Sequence, residues 1–334
     1  MTQLGSYSIL FILSFIGSII LIRFLIKRLS IWGIVDIPDK RRAHTRITPR
    51  GGGLFIVIIF VISFIFFEYS ATNISANSLK LIPIFLAIAT ISFLDDLKPI
   101  HVSIRLIIHL CCTGLSVFLF LYPVPILRQM LPSNIDFIIA TVLLTAFLNI
   151  YNFLDGLDGM TAAESIHLSI TILILCVLQY NVIINVDLII LIALILLSCS
   201  ISFLIFNWHP AKIFLGDVGS ISLGFLLGLC LLLISASSIH LFISSVIASL
   251  YYIGDGGLTI LVRLVKKEKI WEPHLQHFFQ KAVRNGMATQ QIIKRIVICN
   301  FFLMLLAINA LYYPVISLIL GIFIVFITLI NFVR

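Results

Sequence analysis

The length of its apolar runs constrains this chain more than anything else in it. Several stretches of 17 or more residues carry hardly a charge, and each is long enough to cross a hydrocarbon layer of about 30 Å as a helix. Eleven such blocks read as spans, at roughly 6–26, 51–67, 79–94, 104–122, 135–151, 160–179, 186–206, 218–236, 241–253, 296–313 and 315–333. The third and ninth are short for a crossing. The blocks are unbroken apolar runs without period-2 alternation, so helices are expected rather than a barrel. Apolar residues make up 61% of the 334 positions and charged ones 11%. A soluble domain would carry about 45–50% and about 25%. These numbers exclude a soluble enzyme, a disordered chain and a small disulfide scaffold. The expected fold is all-α, a polytopic membrane protein forming one transmembrane domain over 1–334.

The net charge of +8 is explained by topology. With the N-terminus outside and eleven spans, twenty Lys and Arg fall on the inner side, and only Lys80 and Arg128 lie outside. That bias follows the positive-inside rule and puts the C-terminus inside, so no nucleic-acid partner is needed. The first 22 residues hold no Lys or Arg, unlike a cleaved signal peptide, so a retained first span is expected. All six cysteines sit in apolar blocks without a C-x-x-C pair, which reads as packing rather than zinc or disulfides. His109 and His167 also lie within spans and read as hydrogen-bonded packing residues.

On this topology the polar segments 30–50, 95–103, 152–159, 207–217 and 255–295 share the cytoplasmic side. Only fourteen Asp and Glu occur in the chain, and six Asp sit in these segments: Asp95, Asp96, Asp155, Asp158, Asp217 and Asp255. Carboxylates gathered near a bilayer repel one another unless a cation compensates. A hard divalent ion such as Mg²⁺ suits oxygen ligands completed by substrate phosphates. Adjacent Asp95 and Asp96 point in different directions and can play different roles. Gly216 and Gly219 flank Asp217 at the start of a span, a setting that favours an anionic ligand. Near the glycine run 51–53, Arg46 and Arg50 are the best phosphate candidates of the first basic loop.

"FLDDL", "NFLDGLDGM" and "NWHPAKIFLGDVGSISLG", in that order, resemble the polyprenyl-phosphate N-acetylhexosamine-1-phosphate transferase family. The basic loop "DIPDKRRAHTRITPRGGG" and the segment "EPHLQHFFQ" stand where that family has its first cytoplasmic loop and its His-rich loop. The resemblance covers nearly the whole chain. It implies a bacterial inner-membrane enzyme of ten or eleven helices with a cytoplasmic active site. Such an enzyme moves a sugar-1-phosphate from a UDP-N-acetylhexosamine to undecaprenyl phosphate, releasing UMP, as the first step of O-antigen or another envelope polysaccharide. It implies Mg²⁺, with Mn²⁺ able to stand in, held by Asp217 and Asn152. The acidic pair Asp95 and Asp96 is catalytic, its first member deprotonating or orienting the lipid phosphate. Asp155, Asp158, Asn207, His274 and His277 are assigned to the nucleotide and sugar, and Arg46, Arg105 and Lys212 to phosphate. A homodimer is an option left open. Common members carry three His within four residues, whereas here Leu275 and Gln276 separate His274 from His277, a spelling that resembles a branch using a 6-deoxy-N-acetylhexosamine donor.

Within the loop 254–295, residues 258–269 mix Leu and Val with Arg263, Lys266, Lys267 and Lys269, the pattern of a basic amphipathic helix on the membrane surface. Asp255 either lines the site or caps this segment. An H-x₂-H zinc half-site lacks a completing ligand, so anion contact suits His274 and His277 better. A cation transporter would place carboxylates near the midplane rather than at one rim. A prenyl-chain transferase would need a D-D-x-x-D motif, whose last Asp is replaced by Pro99.

Overall fold

Segments immersed in hydrocarbon must satisfy their own backbone groups, and helices do this within one segment. The computed structural model describes residues 3–37, 47–70, 78–126, 131–269 and 274–333. Its helices are α1 (Gln3–Ile31), α2 (Leu54–Ser70), α3 (Leu81–Leu97), α4 (Val102–Phe120), α5 (Ser133–Phe153), α6 (Met160–Leu178) and α7 (Val186–Asn207). They continue as α8 (Asp217–Ser237), α9 (Ile239–Ala248), α10 (Leu250–Tyr252), α11 (Leu258–Val265), α12 (Phe278–Arg284), α13 (Thr289–Asn309) and α14 (Pro314–Val333). Among the described residues nine helices are long and apolar enough to cross a membrane, or ten if one bent pair counts as a span. The apolar helix at Leu54–Glu68 is shorter. The chain is a multi-pass membrane protein.

Helix α8 is the centre of the bundle. It packs against α5, α3 and α9, and every residue from Val218 to Ala236 is buried. Its sequence allows this because no charge follows Asp217 in the helix. At the periphery the same apolar chemistry faces outward: Ile20, Ile62, Ile107 and Phe323 are all exposed, as suits a surface wetted by lipid tails.

The structure departs from the sequence reading in three places. A two-stranded antiparallel ladder, β1 (Val35–Asp36) with β2 (Thr48–Pro49), ties the two ends of the first basic loop together. The expected ninth span is broken. The bend falls at Ser249, where the segment Leu250–Val265 turns by 61° from α9, and a glycine-rich π turn at Ile253–Gly257 follows within that segment. Leu261, Leu264 and Val265 of α11 are exposed, as expected of a helix at the membrane surface. Arg263, grouped in sequence with the lysines, instead faces inward. It is 4% exposed, and it donates to Glu268 at 3.0 Å and to the Lys269 carbonyl at 2.7 Å.

Candidate active site

The C-terminal end of α3, the α5–α6 turn and the N-terminus of α8 meet at one rim of the bundle. Two backbone crossings set the register. Gly52 and Gly53 donate their N–H groups to the carbonyls of Phe214 and Leu215, at 2.9 and 2.7 Å. A Cβ on Gly53 would lie 2.2 Å from the Gly219 Cα, so only glycine allows α2 to start against α8. Gly216 has φ of 74°, and a Cβ there would meet the Asp96 carboxylate at 2.6 Å.

Asp96 is fully buried and sits on the N-terminus of α8, accepting the Asp217 and Val218 N–H groups, both at 3.0 Å. This uses the free donors and positive dipole end of the helix. The Arg50 Nη2 reaches Asp96 at 2.9 Å and Asp217 at 3.1 Å. Arg105 Nη1 pairs with Asp95 and reaches Asp217 at 3.3 Å. Asp95 also accepts the Ile100 N–H at 2.6 Å. The result is an alternating chain of charge: Asp95, Arg105, Asp217, Arg50, Asp96. Burial works against the charge on Arg50, but the carboxylates of Asp96, Asp217 and Asp95 outweigh it and hold its pKa above the ordinary value. Asn152 completes the cluster, donating to Asp217 at 3.4 Å and accepting the Ser220 hydroxyl at 2.6 Å.

Beside this cluster lies a cavity of about 490 Å³. Arg50, Asn152, Asp155, Asp158 and Asp217 face it from one side, and Leu275, Phe279, Gln280, Val283 and Arg284 close the other. Asp155 accepts the Thr161 hydroxyl at 2.5 Å. Burial pushes its pKa up to about 7, opposed by that hydroxyl and reinforced by Asp217. Asp158 is bound by the His209 ring at 2.7 Å and the Ala211 N–H at 3.0 Å, which locks the α5–α6 turn to the α7–α8 segment.

Several expected site residues hold other or additional posts. Asn207 lines the cavity and also fixes two loops, its side-chain carbonyl accepting the Gly159 N–H at 2.8 Å and its amide donating to Ile213 O at 2.9 Å. Lys212 is exposed and does not line the cavity. His277 is 2% exposed and turned onto Asp255 at 3.2 Å, away from the cavity lining. The His274 ring packs against it at a tilt of 32°, with centroids 4.8 Å apart. The reason is local: Asp255 also accepts the Phe278 and Phe279 N–H groups, at 2.9 and 3.2 Å. It therefore caps α12, not the segment leading to Arg263. Arg46 lies outside the described residues. Asp36, which the sequence did not single out, also lines the cavity.

Among the described residues no three His, Cys, Asp or Glu side chains form a self-sufficient metal site. Mg²⁺ does not need one, because it binds through one or two protein oxygens and takes the rest from phosphates and water. The Asp217 carboxylate, 17% exposed on the cavity wall beside the Asn152 amide, fits that demand.

The fold and site define a multi-pass helical membrane protein whose rim gathers carboxylates and guanidinium groups beside a cavity. Comparison with known sequences identifies the family. The chain belongs to glycosyl transferase family 4, whose model matches residues 78–235, from the start of α3 to near the end of α8. It is 29% identical over 329 residues to a probable undecaprenyl-phosphate N-acetylglucosaminyl 1-phosphate transferase of Bacillus subtilis, covering 94% of this chain and 87% of that one. It is 31% identical over 244 residues to a phospho-N-acetylmuramoyl-pentapeptide-transferase of Wolbachia sp. subsp. Brugia malayi, covering 67% of this chain and 72% of the relative. A Buchnera aphidicola protein of the same description is 26% identical over 339 residues, with 89% and 96% covered.

Proposed function

We propose that this protein transfers a sugar-1-phosphate from a UDP-N-acetylhexosamine to undecaprenyl phosphate at the cytoplasmic face of a bacterial inner membrane. The products are undecaprenyl-diphospho-sugar and UMP, and the step initiates O-antigen or another envelope polysaccharide. The observation that carries this reading is the meeting of Asp95, Asp96, Asn152 and Asp217 from three distant stretches of chain with Arg50 and Arg105 between them.

In the reaction an oxygen of the lipid phosphate attacks the sugar-bearing phosphorus of the donor. The bond from that phosphorus to the bridging oxygen breaks, and UMP leaves. Both reactants are anions, so their approach is the first barrier and charge neutralisation the main task. Arg50 and Arg105 supply it by exchanging a carboxylate partner for a phosphate oxygen. When bound by Asp217 and Asn152, Mg²⁺ would add charge neutralisation and orientation. A phosphate acceptor is already ionised near neutrality, so no strong base is required. The two acids of the pair divide their work. Asp96, fully buried and holding two N–H groups and Arg50, is a positioning residue. Asp95, 10% exposed, orients Arg105 beside the acceptor.

The identity of the donor sugar has a specific handle. Leu275, Phe279 and Val283 give one cavity wall an apolar surface, which favours a donor lacking a hydroxyl, such as a 6-deoxy-N-acetylhexosamine. The test is to incubate purified protein in vesicles with undecaprenyl phosphate and a panel of UDP-sugars, with and without Mg²⁺. The lipid product is identified by mass spectrometry. Folded protein that makes no lipid-diphosphate from any donor would end this reading, and a panel led by N-acetylglucosamine would end the 6-deoxy preference.

A further inference from the structure

Arg105 joins helices α3 and α8 through one nitrogen, Nη1, which faces both Asp95 and Asp217. The pose of that guanidinium therefore decides whether the two acids stay in register. Its Nε is buried and has no hydrogen-bond partner among the described residues. One turn along α4, His109 is 1% exposed, and among the described residues neither ring nitrogen makes a hydrogen bond of ordinary geometry. Residues four apart on a helix lie one above the other, so the Arg105 Nε and the His109 ring are neighbours, and among the described residues the Asn149 side chain is the one group that reaches the ring. Asn149 of α5 faces the ring from the other side.

Further along the same stripe the polar groups are paired. Thr113 and Thr145 share a hydrogen bond at 2.7 Å, and Asn149 donates to the Thr145 carbonyl at 2.7 Å. His167, the other histidine within a membrane span, bonds to the Ala248 carbonyl at 2.9 Å, as a packing histidine should. His109 has no backbone anchor of this kind, only the Asn149 side chain near its ring. Its chemistry complements its neighbours: Arg105 Nε can only donate, a neutral imidazole accepts at one nitrogen and donates at the other, and the Asn149 carbonyl can accept.

We propose that His109 is a positioning residue for Arg105. Its ring accepts the Arg105 Nε–H, directly or through one water, and donates toward Asn149. This fixes the tilt at which the guanidinium bridges Asp95 and Asp217. The catalytic consequence rests on the transferase reading; the coupling between the two side chains does not.

The experiment is a double-mutant cycle on full-length protein in detergent, pairing His109→Leu and His109→Gln with Arg105→Ala. Thermal unfolding and steady-state transfer are both measured. His109→Leu should lower kcat about tenfold, the loss of one charge-assisted hydrogen bond, while the KM for the UDP-sugar stays within about threefold. His109→Gln, which can accept and donate, should recover most of that loss. In the Arg105→Ala background His109→Leu should shift Tm by less than half as much as in the wild type. An equal Tm shift in both backgrounds, or a Gln variant as poor as Leu, overturns the proposal. Wild-type protein that transfers nothing refutes the transferase reading alone, because the Tm cycle needs no substrate.

Discussion

Replacing Asp96 by Asn separates the charge of that side chain from its shape. In the native site Oδ1 accepts the Asp217 N–H at 3.0 Å and faces Arg50 at 2.9 Å, while Oδ2 accepts the Val218 N–H at 3.0 Å. The amide keeps one acceptor and turns the other into a donor. Either way it faces, an N–H group meets an N–H group at the start of α8, and Arg50 loses a full counter-charge. A hydrogen bond to a charged group contributes about 1.5–3 kcal/mol, and breaking a buried ion pair costs about 3–5 kcal/mol. With no solvent reaching Asp96 to relieve the loss, a destabilisation of about 3 kcal/mol follows, or about a hundredfold in an equilibrium constant. Unfolding in detergent should show a lower Tm, and transfer should fall about a hundredfold because Arg50 and Asp217 lose register. A variant with wild-type Tm and turnover within about threefold would show that the α8 terminus does not depend on this carboxylate, and the positioning role assigned to Asp96 would fall.

Other outcomes are as definite. Asp217→Ala should abolish transfer while leaving the protein folded, since Arg50 keeps Asp96 and Arg105 keeps Asp95 as partners; EDTA should silence the wild type, with Mg²⁺ or Mn²⁺ restoring it. Unchanged turnover in either case would remove Asp217 or the ion from the chemistry. Gly53→Val should prevent assembly of the α2–α8 crossing, because even a Cβ would sit 2.2 Å from Gly219 Cα; normal yield and Tm would contradict the crossing. Asp155 carries a pKa raised from 3.8 to about 7. A raised carboxyl stabilises the fold fully below its unfolded value, and that contribution is lost as pH rises through the folded one. In cation-free buffer, wild-type Tm should therefore fall relative to Asp155→Asn between about pH 4 and pH 7; parallel curves would refute the shift.

The spans were legible because hydrocarbon imposes one demand, an uninterrupted apolar helix, that composition reveals directly. The meeting of Asp95, Asp96, Asn152 and Asp217 was also foreseeable, since each ends or begins a span on the same expected side. Partner choice was not. His277 carries the spelling of a ligand-binding loop, yet its neighbour is Asp255, 22 residues upstream, and nothing local announces that contact. Asn207 and Lys212 sit in the same motif, but the first is locked between two loops and the second points to solvent, a difference of tertiary placement. The shortness of the ninth span was visible in the sequence, but its bend falls at Ser249, ahead of the glycine cluster Ile253–Gly257, which forms a π turn packed against α5 and α14.

The alternating charge chain at the rim has a consequence for selectivity. Each guanidinium already holds a carboxylate in the resting protein, so a lone inorganic phosphate or mononucleotide gains little by displacing one. On the transferase reading proposed above, a diphosphate donor and a phosphorylated lipid arriving together would replace both partners at once, making occupancy cooperative. On that reading the same exchange would run backward after transfer, with the aspartates reclaiming their arginines as the nucleotide product leaves.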